Sequence, residues 1–106
     1  MAELITTGAW RPKAGAEDAF VAAWREFAGW ASSMPGAGVL RLARDTSDPE
    51  RFISFGTWES ADAAHAWKAS PEFRERMARV QAHVELFVPA ELDLVATADA
   101  GAATVV

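Results

Sequence analysis

Phe52-Ile53-Ser54-Phe55-Gly56-Thr57-Trp58 is dense in aromatic and β-branched residues and reads as a β-strand. Successive side chains of a strand point to opposite faces, so Phe52 and Trp58 fall on one face, Ile53 and Phe55 on the other. A strand that is apolar on both faces has to be covered twice.

Working outward toward the C-terminus, Ser60 can cap a helix, with Asp62 near its start. Ala61, Ala64 and Trp67 share a face of this helix. Ser70-Pro71 restarts it, serine as cap and proline at the first helical position. Phe73, Met77, Val80 and Val84 then recur at helical spacing, which extends the helix to Val84. Pro89 breaks the pattern, and Glu91-Leu92-Asp93-Leu94-Val95-Ala96 alternates as a last strand. Toward the N-terminus, Asp45-Thr46-Ser47-Asp48-Pro49 is a turn cluster, which makes Val39–Ala43 a hairpin partner of the quoted strand. Pro35-Gly36 precedes it. From Ala16 to Met34, Phe20, Trp24, Phe27 and Ala31 carry a helical period, with Glu17 and Asp18 in the first turn. Leu4–Trp10 is a further strand, ended by Pro12 and Gly15. The order β-α-β-β-α-β predicts an α+β, ferredoxin-like fold, an antiparallel sheet with its helices on one face. Residues 1–96 make one domain, and 97–106 a C-terminal tail that is mobile or packed on a partner.

With both helices on one face, the other face of the sheet is left apolar: Ile53 and Phe55 in one strand, Ile5 in another. Such a patch is unusual on a soluble monomer, and a two-fold partner presenting the same face is the simplest cover. A homodimer is therefore expected.

The 106 residues carry a net charge of −5 and no cysteine, which excludes disulfides and thiolate chemistry. A nucleic-acid ligand needs a basic face, which this chain lacks. No apolar run approaches the ~20 residues of a membrane helix, and the N-terminus lacks a signal-peptide pattern. The chain is read as cytoplasmic, with neither nucleic acid nor membrane as partner. No metal-ligand spacing, phosphate loop or nucleophile elbow is present. Five tryptophans and six phenylalanines without a single tyrosine point instead to flat apolar surfaces.

The arginines of the last helix pair with acids four residues earlier, Glu72 with Arg76 and Glu75 with Arg79, and read as a solvated face. Arg41, between Leu40 and Leu42 on a face expected to be covered, either pairs with an acid across the dimer or meets an anionic substrate oxygen. Trp67 lies on the sheet side of its short helix. With Trp24, Phe27, Phe73, Met77 and Phe55 it forms a candidate substrate-binding set, since aromatic walls suit a flat polycyclic ligand. Taken singly, each of these is ordinary core filling. His65 projects to the opposite side from Trp67, and His83 sits at a helix C-terminus. With Arg41 and Trp67, His65 completes the catalytic candidates.

Lys13-Ala14-Gly15-Ala16-Glu17-Asp18-Ala19-Phe20, Pro35-Gly36, Phe52 to Trp58-Glu59-Ser60, and Trp67-Lys68-Ala69-Ser70-Pro71-Glu72-Phe73 resemble the antibiotic biosynthesis monooxygenase family of dimeric α/β barrels. The resemblance runs to Val95. It implies a monooxygenase that uses no cofactor and takes a planar aromatic polyketide or quinone-like molecule and dioxygen. In such members the deprotonated substrate itself supplies electrons to oxygen, while the protein holds it and stabilises the anion. The tyrosine that family oxygenases can place in the pocket is missing; Phe73 stands on a comparable wall. The haem-degrading branch pairs an asparagine on the first strand with a tryptophan and a later histidine. Trp67 matches, but Thr7 and Met77 replace the other two, which argues against haem degradation. A non-catalytic binding or accessory dimer and a polyketide cyclase or isomerase are the alternatives.

Overall fold

The computed structural model describes residues 3–98. Its elements are β1 (Leu4–Pro12), α1 (Glu17–Ala31), β2 (Ala37–Asp45), β3 (Asp48–Trp58), α2 (Ala61–Ala69), α3 (Pro71–Gln81) and β4 (Val84–Asp93). The four strands run in the order β2-β3-β1-β4, each antiparallel to its neighbour. This is the expected ferredoxin-like α+β architecture, with the second helical region split in two at Ser70.

Local chemistry accounts for most boundaries. The Ser60 hydroxyl accepts from the Ala63 amide at 3.1 Å, and the Ser70 hydroxyl from the Phe73 amide at 3.2 Å, so each short helix has its own cap. α1 stops at Ala31, short of Met34, because the Ser32 and Ser33 hydroxyls bond back to the carbonyls of Gly29 and Trp30 at 2.9 and 2.6 Å. Those bonds compete with continued helix. Gly36 turns the chain at φ +83°, where a Cβ would lie 2.6 Å from that of Ala63. Only glycine meets both demands.

The last strand departs from expectation. α3 ends at Gln81, not Val84, and β4 begins at Val84 and runs through Pro89. Val84 packs against the same core from the strand as it would from a helix, so its apolar character fits either assignment. Pro89, opposite Gly8, is tolerated because β4 is an edge strand, where alternate backbone amides have no ladder partner to lose.

The core lies between sheet and helices. Phe20, Trp58 and Val80 are fully buried in it, among Leu4, Trp10, Phe27, Phe52 and Trp67. The opposite face carries Phe55 at 39% exposure, Leu86 at 55%, Val88 at 54% and Leu92 at 48%, an apolar surface open in the single chain. The expected tail contact falls mostly on residues 99–106, outside the described ones. Among the described residues no helix is long and apolar enough to cross a membrane.

Phe20 is wholly enclosed, edge-on to Phe52 at 5.2 Å and tilted on Trp10 at 5.4 Å. Phe20→Ala should lower unfolding free energy by about 3–5 kcal/mol, read as a shifted urea midpoint at unchanged slope. A midpoint that does not move would remove Phe20 from the core.

Candidate substrate cavity

Along the helix-facing side of the two central strands, size is graded. β1 presents Leu4, Thr6, Gly8 and Trp10; β3 presents Phe52, Ser54, Gly56 and Trp58. The register sets Thr6 opposite Gly56 and Gly8 opposite Ser54. Large residues therefore stand at both ends of the sheet and small ones at its middle. Helices resting on the large ends cannot descend to the small centre, and a cavity of about 230 Å³ is left over Thr6, Ser54 and Gly56.

Its walls are aromatic. At one end Trp67 stacks on Trp58 with ring centroids 4.6 Å apart, and Phe73 meets Trp67 edge-on at 4.8 Å. Phe27 closes the corner, 5.8 Å from Trp67 and 5.7 Å from Phe73. At the other end Trp10 stacks on Phe87 at 3.9 Å. Gly8 makes that stack possible, since a Cβ there would come within 2.8 Å of the Phe87 ring. Trp24 and Met77 complete the lining from the helices.

The indole N–H groups differ. That of Trp10 donates to the Ser54 hydroxyl at 2.9 Å, and that of Trp58 to the Thr6 hydroxyl at 3.3 Å. The Trp67 N–H is buried and has no acceptor among the described residues. An unmade buried hydrogen bond costs about 1–3 kcal/mol, so this donor is a feature to be accounted for.

The candidate residues divide accordingly. Trp67, Trp24, Phe27, Phe73 and Met77 converge on the cavity. Phe55 edges it beside Gly56, but strand alternation puts its side chain on the other face of the sheet, opposite Thr7 and Arg41. Arg41 is exposed in the single chain and does not border the cavity. His65 is outside too, with its Nε2 3.0 Å from Glu91 Oε1. His83 does not border the cavity either. Trp10, Phe87, Thr6 and Ser54 were absent from the candidate set, although the small residues at matching positions of β1 and β3 were a legible sign of the gap. Among the described residues no three His, Cys, Asp or Glu side chains gather as a metal-binding group.

Lys68, at the mouth, is the only titratable side chain among the described lining residues. Its Nζ donates to Glu91 Oε2 at 2.9 Å. The hydrogen bond from Lys68, and then that from His65, hold the Glu91 carboxyl below the usual carboxylate range.

A four-stranded antiparallel sheet with an aromatic cavity under its helices defines a ferredoxin-like α+β domain with a space left between its layers. The family model for antibiotic biosynthesis monooxygenase matches residues 4–79, and the chain belongs to that family, a monooxygenase and thus an oxidoreductase. SnoaB from Streptomyces nogalater, a cofactor-independent oxygenase, has a similar structure: TM-score 0.83 at 18% identity, covering 92% of this chain and 97% of its own. A protein of Chloroflexus aurantiacus, provisionally assigned to the same family, superposes at TM-score 0.74 with 24% identity, covering 92% and 97%. One from Bordetella bronchiseptica, assigned in the same provisional way, gives 0.80 at 17%, covering 91% and 100%. At these identities the likeness is one of fold. No curated protein matches by sequence.

Because Glu91 is more acidic in the folded chain than in the unfolded one, its contribution to stability is present above the unfolded carboxylate range. It is lost as pH falls through the folded value. Glu91→Gln should therefore be less stable than wild type above about pH 5, and the difference should vanish in stronger acid. A difference that grows on acidification would contradict the Lys68–Glu91–His65 link.

Proposed function

We propose that the chain is a cofactor-independent monooxygenase acting on a planar aromatic, quinone-like small molecule of the polyketide type, with Trp67 in its binding wall. The observation that carries this is a cavity walled mainly by aromatic rings over the hydroxyls of Thr6 and Ser54, with Trp67, whose buried N–H has no partner among the described residues, in its wall. Flat rings can stack between the Trp58–Trp67 and Trp10–Phe87 pairs. A phenolate or enolate oxygen is the acceptor that satisfies the indole donor and gains most from it in a dry site. The likeness in fold to a cofactor-independent oxygenase supports the same reading.

The chemistry follows from the substrate. An anthrone loses a proton to give a delocalised carbanion, which gives up an electron pair to dioxygen as a C–O bond forms. The resulting peroxide then loses water: one oxygen atom becomes the new carbonyl, the other leaves with the two hydrogens of the former methylene. The wall holds no carboxylate or imidazole among the described residues, so the protein's part is to favour the ionised substrate, through the Trp67 N–H inside and the Lys68 cation at the mouth. Oxygen uptake with an anthrone, without added metal or flavin, should follow the substrate's own ionisation and rise with pH. Trp67→Phe keeps the stack but removes the N–H, and should lower kcat by about one to two orders of magnitude. No turnover by wild type, product formed equally under anaerobic conditions, or full activity in Trp67→Phe would each overturn the proposal.

The open sheet face supports a homodimer closed face to face as a dimeric α/β barrel. Exposed Phe55, Leu86, Val88 and Leu92 form a patch of the kind that oligomers bury. Val88→Asp with Leu92→Asp should turn a dimeric species into a monomer in sedimentation; a wild type that sediments as a monomer at micromolar concentration would refute it.

A further inference from the structure

On the far side of Trp24 and Leu40 from the aromatic cavity lies an open groove of about 530 Å³, between α1 and the edge strand β2. Two arginine side chains reach it, Arg25 from α1 and Arg44 from β2; Arg41 borders it from a strand position whose side chain shares the other face of the sheet with Phe55. Elsewhere arginines are mostly paired. Arg11 meets Asp48 at 2.7 Å, Arg51 meets Asp45 at 3.0 Å, Arg76 meets Glu72 at 3.5 Å and Arg79 meets Glu75 at 3.0 Å. Of the remaining arginines, only Arg74 lies away from the groove. A chain with net charge −5 has acids to spare for pairing. Yet Arg25, Arg41 and Arg44 have no carboxylate within ion-pair distance among the described residues. Glu17, Asp18 and Glu50 surround the next hollow, which Arg44 also edges, and none of them forms an ion pair with it. The guanidinium carbon of Arg44 stands 4.9 Å over the Phe52 ring, a contact that restrains it without neutralising it.

Position gives this cluster its meaning. Trp24 and Leu40 border both the groove and the cavity, so the two spaces are neighbours across a pair of side chains. The cavity's 230 Å³ is below the range of about 300–1,000 Å³ usual for ligand sites, so a polycyclic ligand has to extend beyond it. We propose that the groove is an anion subsite of the same binding site: it takes an acidic substituent, a carboxylate or a group of like charge and shape, on a ligand whose rings lie in the aromatic cavity. Forked guanidinium donors suit such a group, and the apolar Val21 and Leu42 flank the connecting carbons. The inference rests on the aromatic cavity being the ligand site and adds to it the class of ligand: a flat ring system carrying an acid.

Two fluorescent probes with one ring system test it. 1-Anilinonaphthalene-8-sulfonate carries an anion, and N-phenyl-1-naphthylamine is its neutral counterpart. The sulfonate should bind wild type about tenfold more tightly than the neutral probe, the contribution of one charge-assisted hydrogen bond. Arg25→Gln with Arg44→Gln should abolish that advantage while leaving the neutral probe's affinity unchanged, which also reports that the variant is folded. Met77→Phe, which narrows the cavity, should weaken both probes together. Equal affinities in wild type, or an anion preference that survives the double substitution, would overturn the subsite and leave the cavity standing. Binding of neither probe, or binding indifferent to Met77→Phe, would overturn the cavity reading and the subsite with it.

Discussion

Helices laid on a sheet settle at a height set by the largest side chains between them, and in this chain those stand at the two ends of the central strands. Trp58 and Leu4 support one end, Trp10 and Phe52 the other, while Thr6, Ser54 and Gly56 between them reach too short a distance to meet a helix. The cavity is thus a consequence of core packing. Trp10, one of the residues that hold the layers apart, also lines it, Trp58 backs the Trp67 wall by stacking, and the hydroxyls below accept from the indoles of Trp10 and Trp58. Stability and the shape of the cavity share one set of residues.

This arrangement also distributes polarity. Indole donors at Trp10 and Trp58 are satisfied inside the protein, whereas the buried donor of Trp67 has no acceptor among the described residues. A low-dielectric surround makes such a donor selective for a strong acceptor, above all an oxygen bearing negative charge. Formal charge is kept to the rims: Lys68 with Glu91 and His65 at one mouth, and Arg25 and Arg44 beyond Trp24 and Leu40 on the other side.

Much of the fold was legible because the strongest signals are local. Ser60 and Ser70-Pro71 announce helix starts through hydrogen bonds within three residues, and the period of Phe20, Trp24 and Phe27 reports a face before any partner is known. The C-terminal boundary was misjudged where local signals are ambiguous. Val84 is apolar in either a helix or a strand, and Pro89 excludes a strand only if that strand is interior, a property of strand order that no local window contains.

The site divides along the same line. By itself the sequence determined the fold class, the double-sided apolar character of β3 and the helical half of the aromatic set, Trp24, Phe27, Trp67, Phe73 and Met77, since periodicity alone places those residues on inward faces. Only the tertiary structure decided that Trp10 and Phe87 close the cavity and that Phe55 turns its side chain away from it. It also decided that His65 is committed to Glu91, and that Arg25 and Arg44 border one groove beside Trp24. Each of these depends on strand register and on contacts between residues distant in the chain, which arise from packing whole elements together and have no counterpart in any short stretch of sequence.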